Sequence, residues 1–260
     1  EALRELEFFS MVERIPDSRA PEEPVLQSEL PLAKERNTDY RVVDTTEALD
    51  ATVAELDSSD GFSFRVETTA DNPTAGDLVG LAFSNAIDQG WYVPVGHEAG
   101  RQLPVDQVLG KLRSLLESED TPKIAHDANF AMTVLSRYGV QVRGLAFDTL
   151  LGAHLSGRKA TGLKALVLED LNVEMTPRSE LVGTGKKQVR LAQVPIEEAA
   201  PYAAANADLA RQLYPTLREE VADKGGKDVL ESMELPLVPV VVRMQINGVA
   251  IDTDLLAKIS

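Results

Sequence analysis

Arg65 and Glu67 stand two positions apart in the run FSFRVETT. On a strand, that spacing turns both side chains to one face of a sheet, where opposite charges can pair with each other or share a site. Tyr202 and Asn206, four apart in EEAAPYAAANADLARQLY, share a helix face in the same way. His97, His126 and His154 are scattered singly, without the spacing of metal ligands. His126 ends a short strand and reads as structural. The loop RSELVGTGKKQVR gathers Arg178, Lys186, Lys187 and Arg190 among glycines, a patch able to position DNA phosphates without reading sequence. The alternative is an exposed loop with solvated charges. GTGK lacks the full spacing of a phosphate-cradling P-loop.

Composition narrows these options. With 260 residues and 43% hydrophobic content, the chain can bury a sizeable core. It carries no cysteine, which excludes disulfides and thiolate metal sites. A net charge of −16 disfavours a free-standing nucleic-acid binder, whose affinity rests on Lys and Arg neutralising phosphates. Aromatic content of 5% leaves little material for a base-stacking platform. No run approaches the roughly 20 apolar residues of a membrane span. The opening EALRELEFFSMVERIP has neither the basic start nor the apolar centre of a secretory signal. A cytoplasmic protein is expected.

The candidate residues need elements to position them. YRVVDT reads as a strand, and TTEALDATVAELDSS as a helix with Thr46 as N-cap and Leu49, Val53 and Leu56 inward. GFSFRVET, DLVGLAFS and GWYVPV read as an antiparallel meander because the turns between them are short and rich in Asn, Pro and Gly. VDQVLGKLRSLLES is an amphipathic helix, PKIAH a strand, ANFAMTVLSRYG a helix closed by Gly139, VRGLAFD a strand and TLLGAHLSG a helix. A long helical stretch from Pro195 holds Pro201 and Pro215, where breaks or kinks are expected. A helix from about Val229 and the turn Asn247-Gly248 follow. The pattern predicts an α/β fold, a mixed sheet with helices packed on it.

Four segments, in order, resemble the proofreading 3′–5′ exonuclease of bacterial family A DNA polymerases. FSFRVETT with LVGLAFS resembles the first motif, KIAHDANFAMTVLSRYGVQVRGLAFDTLL the second with its following strand, and EEAAPYAAANADLARQLY the third. MELPLVPVVVRMQINGVAID resembles the segment leading into the polymerase domain. The resemblance implies a ribonuclease H-like fold. Active members hold two divalent metals about 3.5–4 Å apart on four carboxylates. The family's first Asp and Glu fall on Arg65 and Glu67, its second-motif Asp on Ala131, and its Tyr and final Asp on Tyr202 and Asn206. One carboxylate of four remains, beside a positive Arg, so no metal pair is expected. Asp127 sits one helical turn before Ala131, Asp208 faces about 200° around the helix from position 206, and Asp148 matches no ligand of the family. None is expected to rescue the site.

The resemblance further implies three regions: 1–40, a helix and linker trailing an upstream nuclease; 41–224, a vestigial exonuclease; and 225–260, the start of a polymerase domain. The chain reads as a fragment of a longer, monomeric polymerase. That parent would add nucleotides to a DNA primer-template with Mg²⁺, using residues beyond Ser260. Two alternatives are an exonuclease with altered ligands and a non-catalytic holder of single-stranded DNA.

Overall fold

In the computed structural model, residues 36–185, 188–253 and 259 are described, and they fall in one unit that begins at Glu35. The predicted helix around Leu3–Val12, the linker after it, Lys186, Lys187 and most of the last predicted helix lie outside the described residues.

Six strands form one sheet. They are β1 (Asp39–Val42), β2 (Phe62–Thr68), β3 (Leu78–Ser84), β4 (Gln89–Pro94), β5 (Lys123–Ala125) and β6 (Leu145–Asp148), in the order β1-β4-β3-β2-β5-β6. β2, β3 and β4 make the expected antiparallel meander, while β1 runs parallel to β4, β5 to β2 and β6 to β5. β5 and β6, which follow the meander, and β1 before it therefore join the sheet through crossover connections, which parallel pairing requires.

Alternation along β2 sorts its side chains. Phe62, Phe64 and Val66 join Leu81, Phe83, Trp91 and Val93 on one face. There they pack under α1 (Thr46–Asp57), α2 (Val105–Glu117) and α3 (Ala128–Arg137). Burying each such side chain contributes about 1.5–3 kcal/mol. The N-cap of α1 is Thr45, whose hydroxyl accepts from the Ala48 amide. The cap thus falls one residue before the predicted Thr46, because Thr45 keeps extended backbone while Thr46 is already helical.

The opposite face of β2 presents Ser63, Arg65 and Glu67 toward α7 (Ile196–Asp223), with the Ser63 hydroxyl donating to the Ala207 carbonyl at 2.6 Å. α7 is a single 28-residue helix with both prolines inside it, about 42 Å long at 1.5 Å per residue. The expected breaks at Pro201 and Pro215 do not occur. Each proline removes one backbone bond, but Ala199, Ala203 and Ala207 lie flat against Val79, Ala82 and Tyr92, and Leu209, Leu213 and Leu217 fill a second core. Tertiary packing along the whole length overrides the local cost.

α4 (Thr149–Leu155) and α5 (Leu163–Leu171) complete this layer. α5 has no counterpart among the elements expected from sequence, although Leu163, Leu166 and Val167 carry a helical period and are buried. α6 (Arg178–Val182) is a short helix inside the predicted basic loop. After α7, α8 (Lys227–Val229) leads through a π-turn (Leu230–Glu234) into α9 (Leu235–Asn247). α9 lies against α3 through Val238 and Val242, and Thr133 Oγ1 donates to Gln245 Oε1 at 2.7 Å. Among the described residues no helix is long and apolar enough to cross a membrane.

Candidate functional site

The α7-side face of β2 holds the only charged residues of that strand. Glu67 is 1% exposed, and burying a carboxylate this deeply is unfavourable unless its charge is matched. Both oxygens are engaged. Arg65 Nε donates to Oε1 at 2.8 Å, and Arg178 Nη1, arriving from α6, approaches Oε2 at 3.4 Å. The other Arg178 nitrogen, Nη2, donates to the Thr68 carbonyl at 2.9 Å. That carbonyl lies where the β2–β3 register shifts, between Glu67 and Thr68. An irregularity of this kind disrupts the ladder locally, and the guanidinium fork donates to a carbonyl at that point.

Arg65, Arg178, Ala131, His126, Asp127 and Phe130 border one cavity of about 250 Å³. Tyr202 feels the same charges. Burial first, then Glu67, pushes its phenol upward, opposed by Arg65 and Arg178. Burial works against the Arg65 guanidinium, yet its net shift is upward because Glu67, Tyr202 and Asp127 favour its charge. The Asn206 amide donates to the Tyr202 carbonyl of its own helix at 2.8 Å, and its side chain also hydrogen-bonds the Tyr202 phenol, which opposes the upward shift.

The neighbouring carboxylates serve the backbone. Asp127, at φ 64°, caps α3 by accepting from the Phe130 amide. Asp148 accepts from the amides of Asp127, Ala128 and Leu150, the last capping α4. Asp208 is fully buried on the other side of α7, where Arg36, Tyr40, Gln212 and the Asp88 amide all donate to it. His126 accepts from the Leu163 amide on Nε2 (3.1 Å), which fixes the proton on Nδ1, directed at Thr149 Oγ1 (2.8 Å). Burial first, with Arg65 adding to it, lowers its pKa to about 3.

Of the four basic residues grouped by sequence, Arg178 turns inward onto Glu67. Arg190 pairs with Glu98 at 2.7 Å on the surface, their side chains 64% and 48% exposed. Lys186 and Lys187 lie outside the described residues. The Arg178–Glu67 pairing was not legible in advance. The partners are 111 residues apart, and no local pattern links a loop arginine to a strand glutamate.

A family model for the 3′–5′ exonuclease of the DNA polymerase A type matches residues 40–222. The chain belongs to this family. Among curated relatives, DNA polymerase I of Chloroflexus aurantiacus is 37% identical over 221 residues, covering 84% of this chain and 23% of the relative. DNA polymerase I of Pseudomonas aeruginosa is 31% identical over 261 residues, covering 97% and 28%. The chain thus spans about a quarter of the length of these relatives. Two solved structures share the ribonuclease H-like fold. The POL domain of Pol1 from M. smegmatis, in complex with DNA primer-template and dNTP, has a TM-score of 0.66 at 24% identity, covering 84% of this chain and 34% of that one. Escherichia coli RNase D has a TM-score of 0.63 at 15% identity, covering 80% and 51%.

The exonuclease family implies divalent metals, so the donor set can be tested against them. Hard cations need several oxygen ligands in near-ideal geometry. At the positions where the sequence motifs would place ligands, this protein has a guanidinium, an alanine, an amide bonded within its own helix, and one carboxylate with both oxygens held by arginines. Among the described residues no group of three or more His, Cys, Asp or Glu side chains forms a metal site. The residues present do not fit a two-metal centre.

Proposed function

We propose that this chain is the catalytically silent proofreading portion of a DNA polymerase I, retained for its fold. One observation carries the reading: the single carboxylate left at the ligand positions, Glu67, is buried between Arg65 and Arg178. Cleavage of a phosphodiester by this family's route needs metals to generate the nucleophile and stabilise the leaving oxygen. Two guanidinium groups supply charge but no hydroxide. Sites are grafted on folds and can be lost separately from them.

In this reading residues 1–40 trail an upstream nuclease region, 41–224 are the silent exonuclease and 225–260 begin the polymerase domain. The parent protein is a cytoplasmic monomer that extends a primer on template DNA with Mg²⁺, using residues outside this chain. The curated relatives named DNA polymerase I support this, as does the fold shared with a Pol1 that holds primer-template. Any phosphate contact by the basic loop falls to Lys186, Lys187 and Arg190, since Arg178 is engaged with Glu67.

The test is incubation of the full-length protein with single-stranded DNA labelled at its 5′ end in Mg²⁺ and then Mn²⁺, scoring stepwise loss of 3′ nucleotides. No shortening is expected. Metal-dependent removal of 3′ nucleotides by the native protein would overturn the proposal; activity that persisted in Glu67→Gln would make Asp127 and Asp148 the ligands to test.

A further inference from the structure

The family's metals bring positive charge to a cluster of carboxylates, and here the charge balance is met by other means. We infer that Arg178 is a tethered replacement for the metal charge: a guanidinium from outside the ligand motifs that neutralises Glu67 and bars a divalent cation from it. This inference rests on the silent reading of the site and extends it, because it makes the exclusion of metal depend on a residue outside the ligand motifs as well as on the residues within them.

Three observations support it. Glu67 faces two cations on one side of the sheet, each with under a third of its side chain exposed. Arg65 reaches Glu67 within its own strand, so it needs no help from α6. Arg178 is nonetheless brought 111 residues through the chain to the second oxygen. Its fork spans two acceptors, Glu67 Oε2 and the Thr68 carbonyl at the register shift, a bidentate geometry that lysine cannot reproduce. An incidental surface pair would contribute about nothing, and would not be expected to serve a buried carboxylate and a strand carbonyl at once.

Restoring the ligands alone should therefore restore metal binding poorly, since Arg178 would still compete for Glu67. The experiment has two arms, both read by thermal unfolding. In the first, Arg178→Ala, Glu67→Gln and the double variant are compared with the native protein. Arg178→Ala should lower Tm by about 5 °C or more, as expected for breaking a buried pair in a domain of this size. The same change made in Glu67→Gln should cost less than half as much. Additive losses would overturn the inference. In the second arm, Mn²⁺ is titrated into Arg65→Asp/Ala131→Asp/Asn206→Asp with and without Arg178→Ala. A larger Mn²⁺-dependent rise in Tm when Arg178 is removed supports the inference, and equal responses refute it. If the quadruple variant does not fold, the first arm decides, because it uses the native ligand positions. Nuclease activity in the native protein would sink the silent reading without touching either arm, so the two failures can be told apart.

Discussion

Asp208 offers the sharpest separation between a structural carboxylate and a metal ligand. It lies two residues from the position where the family carries its last ligand, yet it is fully buried among donors: Arg36 Nη2 at 2.8 Å, Tyr40 Oη at 2.7 Å, Gln212 Nε2 at 2.8 Å and the Asp88 amide at 3.1 Å. Replacing it with alanine removes the acceptor for all four. Arg36 keeps Asp88, while the half-buried Tyr40 hydroxyl and Asp88 amide lose their partner. In the native protein burial and then the nearby Asp208 charge push the Tyr40 phenol upward. Breaking a buried pair costs about 3–5 kcal/mol. In a domain of this size that lowers Tm by roughly 6 to 20 °C. Asp208→Asn keeps Oδ1 for Asp88 and Gln212 and should lose less; the loss that remains comes from Arg36 and Tyr40, which share the oxygen that becomes an amide nitrogen. The assay is thermal unfolding of the native, Ala and Asn proteins in EDTA and again in excess Mg²⁺. Equal losses in both buffers are expected. A loss that appears only in Mg²⁺ would refute the reasoning, because it would mean that Asp208 holds a metal.

His126 should give the protein an acid limb. Its folded pKa is depressed from 6.5 to about 3 by burial and then by Arg65, so its stabilising contribution is complete above pH 6.5 and is lost progressively as pH falls toward 3. At about 1.4 kcal/mol per unit, His126→Gln should flatten stability between pH 6 and 4 in a urea-melt series, whereas an unchanged slope would contradict the assignment. Gly80→Ala should destabilise by about 1–3 kcal/mol or more, because the added Cβ would collide with the Tyr92 ring. It would also dislodge the Tyr92 hydroxyl from His97 Nε2, now 2.7 Å away, and Tyr92→Phe in the same background should recover little if the clash is with the ring.

The sequence carries the sheet well because its strands alternate. Phe62, Phe64 and Val66 against Ser63, Arg65 and Glu67 announce both the strand and the face that Arg65 and Glu67 share. The meander was legible for the same reason, its turns being short and rich in Asn, Pro and Gly. What the sequence hid is what long-range packing decides. Pro201 and Pro215 signal breaks locally, but their helix is held by alanines against β3 and β4 in its first half and by leucines in a second core around Pro215. α5 was lost among glycines and charges although Leu163, Leu166 and Val167 keep a helical period. At the site, the changes at Arg65, Ala131 and Asn206 stand in the sequence itself, whereas the inward turn of Arg178 depends on a register shift at Thr68 that no residue type declares.

The central claim is that guanidinium groups, not metals, hold the charge of Glu67. Calorimetric titration of Mn²⁺ into the native protein, followed by electron paramagnetic resonance, tests it most directly. The account predicts no saturable binding in this domain and no spin-coupled signal in a fragment limited to these 260 residues. Two Mn²⁺ bound per chain with a spin-coupled signal, both abolished by Glu67→Gln, would contradict it.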